Sequence, residues 1–456
     1  MTWANKLSFL LICTIIVFTA VAYGAVHQPI LALFYIMVAL VVTLWAVDAF
    51  ITGTIRYSTS LSQIPLIAAA AYGVVQIIPF GSIAESAEVS GVAQTISLDP
   101  YATILNTAHL IALLAFFAVM LVSLENIARL RKMVVLITIF GFVFAFFAII
   151  QSVLSPTKIY GIYETRFAVP FGSFVNRHNF AAYMEMTIAL PLGMLFAGSV
   201  SRDKRLLFIT AVSLMGIALL LSGSRGGFVA LIAEIIFIIF LTRRKKGKRE
   251  FILKVSLAVL LVISVIGGAI LVGGETSLTR FVETARSNDV STNRVQIWET
   301  TLKVIVNNLP FGAGIGAFGV AYTPFDSNSG LERVEQAHND YLQVAADMGI
   351  VGILIGGFYL FWLFRTGWKN IQTSNRYRRS IAIGAFAGCF AILIHSLFDF
   401  VLHTTAISLL FLALNALLVA SGIGYADDHS EHSTTKRKRR SPATVTAITE
   451  TRRHLH

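Results

Sequence analysis

Residues 133–153 read MVVLITIFGFVFAFFAIIQSV, a stretch with no charged side chain that follows directly on the basic run Arg129-Leu130-Arg131-Lys132. A helix rises ~1.5 Å per residue, so ~20 apolar residues cross the ~30 Å hydrocarbon layer of a bilayer. The same ruler, moved outward, finds runs near 7–26, 30–50, 61–80 and 101–123, then 180–199, 206–222, 227–242, 251–273, 346–364, 381–400 and 404–424. The expected fold is an all-α polytopic membrane protein of about twelve transmembrane helices. Composition agrees: 56% of the 456 residues are hydrophobic and 13% charged, against ~45–50% and ~25% in soluble domains. That excludes soluble enzymes and nucleic-acid binders. Lys6 and the small residues at 20–25 raise the question of a signal peptide, but His27-Gln28-Pro29 leads straight into a second run, so an uncleaved first helix is expected. Cys13 and Cys389 both sit in apolar runs, which leaves no disulfide framework and no cysteine metal site.

The net charge of +12 is mainly an orientation signal. Lys6, Arg56 and the bases in 129–132, 202–205, 243–249, 365–379 and the tail account for 26 of the 36 Lys and Arg. Cytoplasmic loops carry such excess, so both termini are expected in the cytoplasm. Residues 81–100 hold no base, and the segment 274–345 holds five bases against eight acids. The expected organisation is a membrane domain over 1–424, with 274–345 as a large loop on the side opposite the cytoplasm, and a disordered basic tail over 425–456. The tail run Lys436-Arg437-Lys438-Arg439-Arg440 reads as a segment facing anionic membrane lipids, with no nucleic-acid partner.

A loop as long as 274–345 is usually functional or disordered. From Arg294 to Asn308, Val295, Trp298, Leu302, Ile305 and Val306 recur at helical spacing behind the capping residues Ser291-Thr292-Asn293. This predicts an amphipathic helix at the outer surface. Residues 309–318, with glycine at 312, 314 and 316, should end that helix and let backbone approach a neighbour closely. They lack the preceding strand and following lysine of a phosphate-binding loop.

Three outer segments carry candidate chemistry. In Ser222-Gly223-Ser224-Arg225-Gly226-Gly227, flanking glycines leave the Arg225 fork open to a lipid phosphate; the plainer reading is an arginine snorkelling from a helix end. Arg294 opposes the dipole at its helix start unless an anion binds there; otherwise it is a surface arginine paired with Asp289 or Glu299. His338, in Glu335-Gln336-Ala337-His338-Asn339-Asp340-Tyr341-Leu342, can take a proton near neutral pH and has carboxylates three positions before and two after it. A structural or merely exposed histidine is the alternative. Weaker candidates are Asn176-Arg177-His178-Asn179 and the acids Glu185, Glu234 and Asp399, which fall inside apolar runs and keep a transporter or lipid flippase in view.

These motifs in their order, Asn176-Arg177-His178-Asn179, Ser222 to Gly227, Asn293-Arg294-Val295-Gln296-Ile297-Trp298, Pro310 to Phe318 and Ala337 to Gln343, resemble the bacterial O-antigen ligase and polymerase superfamily over roughly residues 170–365. The resemblance implies a GT-C-type glycosyltransferase of the bacterial inner membrane, with its site and the 274–345 loop facing the periplasm. A glycan would pass from undecaprenyl diphosphate to lipid A core or, in a polymerase, to another lipid-linked glycan, with neither cofactor nor metal. By motif, Arg225 and Arg294 would bind the diphosphate and His338 would be the catalytic base. Arg177, His178, Asn339 and Tyr341 are implied as lining residues.

Overall fold

The computed structural model describes residues 2–82, 93–165, 168–243, 247–286, 294–327 and 333–423. Its helices are α1 (Trp3–Val21), α2 (Gln28–Thr52), α3 (Ile64–Gln76), α4 (Pro100–Ser123), α5 (Ile127–Leu154), α6 (Arg177–Phe196), α7 (Arg205–Leu221) and α8 (Arg225–Thr242), followed by α9 (Lys248–Arg286), α10 (Arg294–Asn307), α11 (Phe318–Tyr322), α12 (Asp340–Asn370), α13 (Arg376–His395) and α14 (Thr405–Ser421). The strands among the described residues form two-residue ribbons, Gly81–Ser82 with Ala93–Gln94 and Lys158–Ile159 with Tyr163–Glu164. The chain is an all-α, multi-pass membrane protein.

Ten of these helices are long and apolar enough to span a bilayer, and α3 and α14 are shorter apolar helices at the third and twelfth expected positions. A polar side chain accounts for the shortness of α3. Gln76, fully buried, ends α3 by bonding to the segment after α10. α14 begins within one residue of its expected start, at Thr405, and ends at Ser421 before Gly422.

Burial runs against hydropathy, as expected when protein replaces lipid around a helix. The spanning window of α6 has mean hydropathy 1.2 and is 94% buried, whereas that of α2 reaches 2.7 and is 17% buried. α6 is therefore the axis of the bundle. It packs along α13 through two glycines: a Cβ on Gly193 would stand 2.6 Å from the Gly384 Cα, the close backbone approach that small residues permit in membranes. α6 and α8 begin at the end of the bundle where α13 finishes, so Arg177, Arg225 and His395 share one end.

The loop after the ninth span differs from expectation. α9 continues past residue 273 to Arg286, in a stretch with no proline to stop it. The capping triplet 291–293 and the tail from 424 lie outside the described residues. α10 forms where predicted, but its inward face is Thr300, Thr301 and Val304, with Ile297 and Ile305 alongside, while Val295, Leu302 and Val306 face away from the protein. The reason is a small core of Phe318, Ala321, Tyr322, Ala337 and Ala346 that takes the Val304 face.

The glycine stretch has a structural partner. α12 is broken at Gly349 (φ 57°, ψ −141°), which frees carbonyls of the preceding turn. Ala313 N–H donates to Ala346 O (2.8 Å), Gly314 N–H to Asp347 O (3.0 Å), and Ile350 N–H returns to Pro310 O (3.0 Å). Gln76 completes the junction, donating to Phe311 O and Asp347 O and accepting from Ile315 N–H. Backbone groups at membrane depth must be satisfied internally, and Gly312, Gly314 and Gly316, all at positive φ, let one irregular segment satisfy another.

Candidate functional site

The site is assembled around Asp399, from the break between α13 and α14. The apolar run at 381–400 predicts a continuous span with this acid inside it; the helix instead stops at His395, and Asp399 lies in the turn beyond, 2% exposed. Its Oδ1 accepts from Phe400 N–H (3.0 Å) and faces His338 Nδ1 at 3.3 Å. Its Oδ2 accepts from an Arg294 guanidinium nitrogen at 3.1 Å and lies 3.8 Å from His178 Nδ1. A second Arg294 nitrogen donates to Phe398 O. Burial alone would raise this carboxyl, but the His338 hydrogen bond and the charges of His178, Arg294 and His338 outweigh it and hold Asp399 well below the usual carboxylate range.

His338 has φ +50°, uncommon for a residue with a Cβ. The conformation is imposed from both sides. Ala337 N–H donates to Gln343 Oε1, folding the chain over the start of α12, and Asn339 caps that helix by accepting from Tyr341 and Leu342 N–H. Asn339 Nδ2 also donates to Leu397 O, and Tyr341 O–H to Leu393 O, so these two side chains fasten α12 to the last turn of α13 and to the turn beyond it that carries Asp399. The imidazole is one third exposed and rests edge-on against Phe400. Because Nδ1 faces an ionised carboxylate it carries the proton, which leaves Nε2 the basic nitrogen.

The Ser222–Gly227 hairpin closes another side. Ser224 caps α8 by accepting from Gly227 N–H (3.2 Å), and its hydroxyl lies 2.9 Å from His178 Nδ1. Arg225, the next residue, is half-buried and near enough to Arg294 for their charges to repel. Arg177 lies beside the hairpin, its Nη1 3.5 Å from where a Cβ on Gly223 would stand. Three arginines and a histidine drawn together in this way suit an anion with more than one negative charge.

Behind the hairpin, His395 packs against Gly226 and its Nδ1 lies 3.0 Å from Glu185 Oε2. Glu185 and Glu234 are fully buried. His403 lies 3.3 Å from Asp340, whose other oxygen accepts from the Ser396 hydroxyl and Leu402 N–H. Sequence reasoning misses Asp399 as a site residue, and with it His395 and His403. The available signal is His395, Asp399 and His403 at intervals of four in an otherwise apolar context. Among the described residues, no group of three or more His, Cys, Asp or Glu is arranged to hold a metal ion.

Residues 210–356 match the family model described as O-antigen ligase. Over this stretch the chain is similar to the O-antigen ligases. The match spans Arg225, Arg294 and His338 and supports the O-antigen ligase and polymerase superfamily; Arg177, His178 and Asp399 lie outside the matched range. No curated protein matches the chain.

Proposed function

We propose that this protein transfers a glycan from undecaprenyl diphosphate to an acceptor sugar at the periplasmic face of the bacterial inner membrane, and that the acceptor is lipid A core. The observation that carries the reading is the meeting of Arg294 and His338, from opposite ends of the outer loop, on Asp399, with the Arg225 hairpin alongside.

In the proposed reaction His338 Nε2 removes the acceptor hydroxyl proton as that oxygen attacks the anomeric carbon of the donor. The bond from that carbon to the diphosphate breaks on the opposite face, so configuration inverts and lipid diphosphate departs. Asp399 keeps Nδ1 protonated and stabilises the imidazolium that forms, the general role of a carboxylate behind a histidine base. Arg225 and Arg294 neutralise charge growing on the leaving group. A guanidinium carries five N–H donors, so the two that Arg294 directs to Phe398 O and Asp399 do not exhaust it.

The test is reconstitution of purified protein with undecaprenyl-diphosphate glycan, offering lipid A core in one reaction and a second lipid-linked glycan in another. Product on lipid A core is expected, without added metal or ATP. Product only on the lipid-linked acceptor would reassign the protein as a polymerase, and no transfer to either would defeat the proposal.

A further inference from the structure

At the end of the bundle opposite Asp399 lies a cavity of about 670 Å³. The two ends are connected by the same helices. α6 runs from Arg177 at the site to Phe196 at the cavity, α8 from Arg225 to Thr242, and α13 returns from Arg376 to His395. Twenty helical residues span ~30 Å, so the cavity and the site lie a membrane thickness apart.

Among the described residues, four cationic side chains line the cavity, Arg205, Lys254, Arg376 and Arg379, and no acid does. Its walls include Phe196, Leu253 and Leu257. Part of the positive charge has a local explanation, because cations complement helix C-termini: Lys254 Nζ donates to Thr242 O (3.0 Å) at the end of α8. That leaves three arginines. Arg376 lies across Gly198, where a Cβ would stand 2.8 Å from its Nη2, so the glycine makes room for the guanidinium. Arg379 Nε is buried with no hydrogen-bond partner among the described residues, and an orphaned charged donor is costly unless something occupies its reach.

We propose that this cavity binds the phosphate-bearing headgroup of an anionic phospholipid from the adjoining leaflet. A phosphodiester presents the oxygens that guanidinium forks engage. The apolar walls suit the first methylenes of the acyl chains, and basic recesses between helices are a recognised type of headgroup site. The proposal is independent of the transfer reaction, since none of these residues belongs to the site around Asp399.

The experiment uses the full-length protein purified in a neutral detergent. Lipid retention is counted by native mass spectrometry, and thermal unfolding is followed with added phosphatidylglycerol, cardiolipin, phosphatidylcholine or inorganic phosphate. Wild type should retain and be stabilised by the anionic lipids over phosphatidylcholine and over inorganic phosphate. The Arg376→Gln/Arg379→Gln double variant should lose roughly 30-fold in anionic-lipid affinity, the product expected for two cations near an anionic headgroup. Arg56→Gln, which removes a base away from the cavity, should lose none. Comparing anionic with zwitterionic lipid within each variant separates binding from a general loss of fold. Equal anionic preference in wild type and the double variant would overturn the site. An equal response to inorganic phosphate would overturn the lipid as its occupant.

Discussion

Asp399 is the residue on which the candidate site depends, because it engages side chains from α10, from the start of α12 and from the start of α6. Asp399→Asn keeps the volume but removes the charge that fixes the His338 tautomer. Under the proposed function it should lower kcat by about 10²- to 10⁴-fold, the range of general-base assistance, while lipid-diphosphate binding by the arginines survives. His338→Ala should show the same split, measured by turnover against donor cross-linking. Arg294→Lys should instead weaken donor binding, because a point charge replaces a planar fork. The pH dependence has a definite sign. A carboxyl held below its unfolded value of ~3.9 contributes stability that is present above that pH and is lost as pH falls through the folded value. The melting difference between wild type and Asp399→Asn should thus be widest above about pH 4 and narrow below it. A gap that persists unchanged in acid would mean that Asp399 acts through packing alone.

At the scale of elements, the junction between the glycine stretch and the break in α12 positions the loop that leads into the site. Gly349 occupies a conformation open essentially to glycine, and a Cβ there would stand 2.2 Å from Pro310 O. About two turns further into the membrane run of the same helix, a Cβ on Gly356 would meet no atom within 4 Å. Gly349→Ala should therefore destabilise the protein by at least ~1–3 kcal/mol, whereas Gly356→Ala should be neutral or slightly stabilising. Melting of the two variants in one detergent checks the contrast, and equal effects would deny the junction its role. The elements themselves were legible because bilayer thickness imposes a length that sequence displays directly. Arg225, Arg294 and His338 were legible as polar groups in segments where an anchor needs none. Asp399 was not, because its meaning comes from His338, 61 positions earlier, and one charge in a 20-residue apolar run does not reveal where the helix ends. The inward face of α10 was hidden for a related reason: its partners, Phe318 in the five-residue α11 and Ala337 in the loop before α12, lie in segments too short or too irregular for periodicity to place.

For the whole molecule, the decisive quantity is which side of the membrane each end of the bundle occupies. Under the proposed function the Asp399 end faces the periplasm, and charge is consistent with that orientation, since the segments joined to it are poor in base while the opposite connections hold most of the Lys and Arg. A donor glycan presented on the periplasmic side can reach Arg225 and Arg294 only in that orientation. Ser327 follows α11 at the Asp399 end and Ser201 precedes α7 at the other, and both are exposed. Native Cys13 and Cys389 lie within α1 and α13 and can be replaced by serine or alanine to give a cysteine-free background. In intact spheroplasts, a membrane-impermeant maleimide should label the Ser327→Cys variant and leave Ser201→Cys unlabelled until the membrane is permeabilised. The opposite pattern would turn the site toward the cytoplasm and remove the physical basis for transfer in the periplasm, whatever the similarity of residues 210–356 to O-antigen ligases.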